Sequence, residues 1–320
     1  MQSLTGMNWL KEWMKKLEIT NSEFKGKIKQ IIKIKPNVYN EFREWTPLKL
    51  ILLNYTLNVC TQIISKHKHI FKEKYYVDLF AGSAINKIKG KDDFLIGSPL
   101  IASLNHSEAY NSMLFCEKKE SFSEALDLRL KILKKDNLVV MKKACELCLD
   151  RILKIVNGKE KYSFFFIDPH STEFTWESMK RILQVRSDIV FTFMSSEIYR
   201  AVGLAKSGIS EGKVLTELFG NDSWRKVNNF EELIEVYKKN ILTERCEAPI
   251  RTIRIKSKQF NFCYHLFFIT NKTRGDNRWL RAIDKAKKEI ESNSDKSVEM
   301  ALNIIKKRQS ELSNFLNSNI

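Results

Sequence analysis

The segment 75–84, Tyr-Tyr-Val-Asp-Leu-Phe-Ala-Gly-Ser-Ala, constrains the fold more than any other: an apolar run meets an acid at Asp78 and then a turn of small residues. A strand covered on both faces reads as a short unbroken apolar run, as in parallel sheets. Small residues directly after such a strand let the backbone approach a nucleotide-like ligand. The pattern therefore predicts the first strand and ligand loop of a Rossmann-like domain. A second run, 163–170, Ser-Phe-Phe-Phe-Ile-Asp-Pro-His, has the same layout and ends at Asp168 before the turn former Pro169. Two acid-terminated strands predict one crevice built from both strand ends.

The rest of the chain alternates around these two strands. Helical periodicity covers 7–18 and 47–66, with Thr46 as cap and Pro47 at the first helical position. After the strand at 75–80 comes a loop rich in Lys, Asp and Gly, then a helix opened by Ser98 and Pro99. Strands follow at 113–116, 138–141, 163–167 and 189–193, separated by helical stretches at 119–134, 144–156 and 175–184. Repeated strand-helix units imply a parallel sheet with helices on both faces. Residues 195–249 read as a long, mostly helical insertion, a lid or substrate-binding element. The runs 250–255 and 264–270 sit too close together for a crossover helix, so they pair as an antiparallel hairpin. The tail 279–316 is helical with a break near 292–295. This divides the chain into a basic helical extension (1–74), a Rossmann-like domain (75–275) with its insertion, and a helical tail (276–320).

With 43% apolar residues in 320, the chain can bury roughly three quarters of its unfolded surface without a staple. No apolar run reaches the roughly 20 residues that span a bilayer, and the first ten residues lack the basic-then-apolar layout of a secretory signal. A cytoplasmic protein with no membrane partner is expected. The six cysteines are scattered as packing residues would be, and only Cys145 and Cys148 have metal-ligand spacing. No second pair follows them, so no metal site is expected.

The formal charge of +17 favours polyanionic partners, nucleic acid above all. Residues 1–74 carry net +8, concentrated in Lys25, Lys27, Lys29, Lys33 and Lys35. Arg274, Arg278, Trp279 and Arg281 could neutralise or stack on a nucleic acid. The competing reading is a lysine-rich surface that is simply solvated.

Five parallel strands with alternating helices, closed by an antiparallel hairpin, are the layout of class I S-adenosylmethionine-dependent methyltransferases. Several strings go further: Trp45-Thr-Pro-Leu-Lys49-Leu, Tyr76-Val-Asp-Leu-Phe-Ala-Gly82, Gly97-Ser-Pro99, Phe166-Ile-Asp-Pro169 and the late Tyr264-His-Leu-Phe-Phe. In order and spacing, over about residues 42–285, the chain resembles the three-Cys-motif partner (TcmP) family. That resemblance implies a methyltransferase-like fold and a protein partner that carries the three-cysteine motif. Two departures stand out. The family loop reads Phe-Ala-Gly-Pro-Gly where this chain has Ser83-Ala84, and its Asp-Pro-Phe-Gly appears here as Asp168-Pro169-His170-Ser171. The first adds a methyl group where the cofactor would pass close; the second alters the reacting edge.

The expected cofactor site comprises Asp78, Phe80, Ala81, Gly82, Ser83 and Glu117. Asp78 orders the loop and accepts from the cofactor's ammonium, and Glu117 takes its ribose hydroxyls. Position 144 is often acidic in methyltransferases and would read the adenine amine; here it is Ala144. The expected catalytic set is Asp168, Pro169 and His170. A carboxylate accepting from a ring-conjugated amine makes its lone pair more available for attack on a sulfonium methyl, and His170 could accept a proton or orient a base. Lys49, four residues after Trp45, either clamps a phosphate or fixes its helix to the sheet. Two function classes stay open: a methyltransferase acting on a nucleic-acid base, and a catalytically weakened methyltransferase-fold adaptor for nucleic acid or a partner protein. No Gly-Lys-Ser/Thr phosphate loop supports a nucleotide hydrolase.

Overall fold

The computed structural model describes residues 9–13, 15–16, 24–42, 46–67, 69–88, 94–257, 262–273, 275, 277–293, 296–298 and 301. Trp45, Arg274 and half of the expected tail 279–316 lie outside them. The protein has a mixed α/β, Rossmann-like fold built on one large, mostly parallel sheet.

Its main sheet has seven strands in the order β6 (Leu138–Met141), β5 (Ser112–Cys116), β2 (Glu73–Asp78), β7 (Lys161–Ile167), β8 (Ser187–Phe193), β10 (Phe262–Ile269) and β9 (Ile250–Ser257). Strands β6 to β8 pair in parallel. β10 pairs antiparallel to both β8 and β9, so the expected hairpin is present and β10 inserts between its partner and the rest of the sheet. The switch from parallel to antiparallel follows from the short 258–261 link, which leaves no room for a crossover helix.

The aromatic strands are apolar on both faces because both faces are covered. Tyr76, Phe164 and Phe166 pack on one side with the helices Thr46–Lys66, Ser98–His106, Glu120–Lys131 and Arg278–Glu291. Val77, Phe165 and Ile167 pack on the other with Cys145–Val156, Trp176–Leu183 and the insertion. The insertion is helical as expected, with helices Ser195–Lys206, Lys213–Phe219 and Phe230–Glu244.

Three local expectations are corrected. The stretch after β2 is not a plain loop. Ile85–Ile88 (β3) and Phe94–Ile96 (β4) form a small sheet with Asn40–Phe42 (β1), which pairs parallel to β3. The amino-terminal segment is therefore hydrogen-bonded to the backbone that follows the ligand loop. The helix at 98 is capped by Gly97, with Ser98 already helical, and Thr46 likewise lies inside its helix.

Candidate functional site

β2 carries Asp78 to the carboxyl edge of the sheet, where the chain turns over the end of β5. The Ala81 N–H donates to the Cys116 carbonyl at 2.9 Å. Glu117 then joins the two loops: its Oε2 accepts from the Gly82 N–H at 2.9 Å and its Oε1 from the Lys119 N–H at 2.8 Å. Gly82 has φ +63, and a Cβ there would stand 2.7 Å from the Asn40 amide. Both the left-handed backbone and the close approach demand glycine. Asn40 accepts from the Ser83 N–H at 2.8 Å, so the amino-terminal segment lies directly on the ligand loop.

A cavity of about 420 Å³ opens between these loops. Phe80, Gly82, Glu117, Ala144, Glu146 and His170 are among the residues that line it. Of the expected cofactor residues, Phe80, Gly82 and Glu117 line the cavity. Asp78, Ala81 and Ser83 lie beneath it, at 0%, 5% and 0% exposure.

Asp78 is entirely enclosed and accepts weakly from the Phe80 N–H at 3.3 Å and the Tyr76 hydroxyl at 3.5 Å. Burial raises its pKa to about 7; hydrogen bonds from Ser98 and Phe80 oppose the rise, and the charges of Asp168 and Glu117 add to it. Asp78 is thus close enough to feel the charges of both Asp168 and Glu117.

Asp168 follows β7 and pairs with Lys49, whose Nζ lies 2.5 Å from Oδ2. Lys49 thus fixes its helix to the strand end, one of its two expected roles. Pro169 is buried and His170 exposed. The His170 N–H donates to Glu173 Oε1 at 2.8 Å, and Glu173 also pairs with Lys118 at 2.5 Å, closing this loop against the end of β5.

The departures at Ser83 and Ala84 do not have the expected effect. The Ser83 hydroxyl donates to the Ile85 carbonyl at 3.0 Å, and Ala84, at φ +70 and 1% exposure, turns away from the cavity. Their side chains belong to the turn into β3 and do not line the cavity. The left-handed conformation of Ala84 costs roughly 1 kcal/mol where glycine would cost little.

Among the expected nucleic-acid contacts, Lys25, Lys27, Lys29 and Lys33 are exposed on the helix Lys25–Lys33, which buries Ile31. Lys35 is ion-paired with Glu124. Arg278 is exposed at the start of its helix, but Trp279 is 2% exposed against Phe268 and cannot stack on a base.

Sequence reading missed three residues. Asn40 carries no motif. Glu146, exposed in the first turn of its helix, puts a carboxylate on the cavity two residues beyond Ala144. Arg129 is 1% exposed and donates to the carbonyls of Ile34, Lys35, Val38 and Ser83. Its place on the face of Leu126, Leu130 and Leu133 was the available signal, since a basic residue on an apolar face must find acceptors.

No protein-family model matches the chain, and no curated protein matches it significantly. Solved structures do. A Legionella pneumophila protein of the DUF519 family aligns over 76% of this chain and 91% of its own, with 14% identity and TM-score 0.49. Trm1 from Pyrococcus horikoshii, solved with S-adenosyl-L-methionine, aligns over 84% and 77% at 12% identity and TM-score 0.43. An rRNA methylase from Streptococcus thermophilus aligns over 69% and 95% at 11% identity and TM-score 0.36. Likenesses this distant assign neither an activity nor a substrate to this chain. Among the described residues, no helix is long and apolar enough to cross a membrane.

Proposed function

We propose that the protein is an S-adenosylmethionine-dependent methyltransferase that acts on an amino group of a nucleic-acid base. The observation that carries this reading is the cavity at the carboxyl edge of β2 and β5, with Glu117, Glu146 and His170 on its lining and Asp168 in the same loop as His170. Its volume lies in the roughly 300–1,000 Å³ range of small-molecule sites, and Glu117 and Glu146 give it acceptors for hydroxyl and amine hydrogens. The residues present therefore fit the cofactor.

Glu117 would hold the ribose hydroxyls with the lone pairs that Gly82 and Lys119 leave free. Glu146 would take the adenine amine in place of an acid at 144. When bound, S-adenosylmethionine supplies an electrophilic methyl on a sulfonium. Asp168 accepts a hydrogen bond from the acceptor N–H, and the turn at Pro169 aims the His170 loop at the same space. The lysines of Lys25–Lys33 bind phosphates. A base paired in a duplex would have to be extruded at a cost of a few kcal/mol, so unpaired RNA or DNA is the favoured target. The three-Cys-motif partner resemblance adds a protein partner to the proposal, and the resemblance as a whole suits a cytoplasmic enzyme.

Calorimetry with S-adenosylmethionine tests the cofactor. Binding weaker than about millimolar, near −4 kcal/mol, would leave the adaptor reading standing instead. Asp168→Ala is expected to abolish methyl transfer to short RNA or DNA while cofactor affinity stays within about tenfold; full activity removes Asp168 from the reaction.

A further inference from the structure

Lys49 sits at 9% exposure in a helix whose neighbouring positions Leu48, Leu50, Ile51, Leu52 and Leu53 are all buried. An ammonium held this far from water is destabilising unless paired, and apolar residues of similar volume would anchor a helix at least as well. Asp168 is the ion-pair partner that Lys49 finds, 2.5 Å away. The carboxylate stands between two kinds of neighbour. On the strand side are Asp78 and the Tyr76 hydroxyl of β2, with Tyr264 of β10, all close enough to feel its charge. On the open side is the loop of His170, which lines the cavity. Lys49 therefore fixes one oxygen of this carboxylate from the helix side, between those two kinds of neighbour.

We propose that Lys49 is a positioning residue for the reaction at Asp168: its ammonium occupies Oδ2 and holds the carboxylate in one orientation, leaving Oδ1 to accept from the acceptor amine. The proposal rests on the methyltransferase reading. Lys49 comes from the helix that precedes the sheet, so the active centre includes a residue from outside the strand-loop framework. An unpaired Asp168 would be free to rotate away from that acceptor position. Arginine in place of Lys49 keeps the charge and can still reach a carboxylate; methionine keeps the volume and removes both functions.

Lys49→Met and Lys49→Arg, compared with wild type, provide the test. Tritiated S-adenosylmethionine and a pool of short RNA and DNA oligonucleotides give kcat and KM for methyl transfer, and calorimetry gives cofactor affinity. Lys49→Met is expected to lower kcat about 100-fold while KM and S-adenosylmethionine affinity stay within about threefold. Lys49→Arg should recover kcat to within about tenfold of wild type. A Lys49→Met variant with wild-type kcat overturns the proposal; so does a Lys49→Arg variant as slow as Lys49→Met. If Lys49→Met does not fold, Lys49→Gln takes its place in the same comparison. A wild-type protein that binds no S-adenosylmethionine fails the parent reading and this proposal with it, whereas an active wild type with an equally active Lys49→Met fails this proposal alone.

Discussion

Two buried arginines make nearly the same construction at opposite edges of the sheet. At the carboxyl edge, Arg129 donates to the carbonyls of Ile34, Lys35, Val38 and Ser83. At the amino edge, Arg245 donates to those of Ile182, Leu183, Val185 and Ser187. Burial pulls both guanidinium pKa values down to about 10. Their surroundings differ. The amino edge holds Asp188, which is half-buried; desolvation pushes its pKa up, but it accepts from the Tyr162 hydroxyl at 2.6 Å and from Thr270, with Arg245 close enough to favour its charge. The carboxyl edge holds Asp78, whose hydrogen bonds from Ser98, Phe80 and Tyr76 do not offset its burial and whose charged neighbours are two carboxylates. One edge matches its acid with a cation; the other leaves Asp78 without one beside a cavity. The proposed site for a cationic cofactor lies at the second.

The largest effect should come from the matched edge. Arg245→Leu strands four buried carbonyls and removes the cation near Asp188, so about 3–5 kcal/mol of stability should be lost in urea unfolding. A loss under about 1 kcal/mol would mean that the amino edge is not the stabilising one.

Asp78 gives the next. Its folded-state pKa is raised from 3.8 to about 7, so between those values the folded chain keeps a proton that the unfolded chain has released. Stability therefore falls as pH rises through this window, by about 2–3 kcal/mol between pH 5 and pH 8. Asp78→Asn should flatten that slope. A wild-type protein equally stable at both pH values would show that the carboxyl edge is matched after all. A cation bound near Asp78 also favours its ionised form, so S-adenosylmethionine should bind more tightly at pH 8 than at pH 6, with proton release seen by calorimetry in buffers of different ionisation heat.

How far the sequence disclosed this contrast depends on which part is meant. The strands showed themselves because β2 and β7 are apolar on both faces, and a run such as Phe164–Ile167 has few other homes. The acids at their ends followed from the same pattern. Asn40 and Arg129 were hidden because their partners are backbone groups brought together by a parallel pairing, β1 with β3, across more than forty residues, and backbone acceptors leave no trace in side-chain identity. Ser83 and Ala84 were misread for a related reason: a motif fixes the order of small residues, but the direction each Cβ takes depends on where the chain goes next, and here it goes into β3. Lys49 was legible as a residue and not as a partner, since an isolated lysine on an apolar helix does not say which acid it meets.

Arg129→Leu separates the two edges at smaller scale. It frees Ser83 from residues 34–38 and loosens the wall that Asn40 lends to the cavity. S-adenosylmethionine affinity should fall about tenfold, or 1.4 kcal/mol, with a stability loss below that of Arg245→Leu. Equal stability losses and an unchanged affinity would erase the distinction between the arginines.

The smallest effect concerns the exposed lysines on Lys25–Lys33, which Arg129 ties to the ligand loop through Ile34, Lys35 and Val38. Replacing Lys27, Lys29 and Lys33 with Gln should flatten the dependence of log affinity on log salt for single strands by about 2, near 0.7 per phosphate contact. Arg129→Leu should weaken the same binding by no more than about threefold and leave that slope unchanged, because a guanidinium at 1% exposure touches no phosphate. A slope that drops by nearly one unit in Arg129→Leu would mean that the carboxyl-edge arginine reaches the polyanion itself, and the two arginines would then differ in what they bind as well as in what surrounds them.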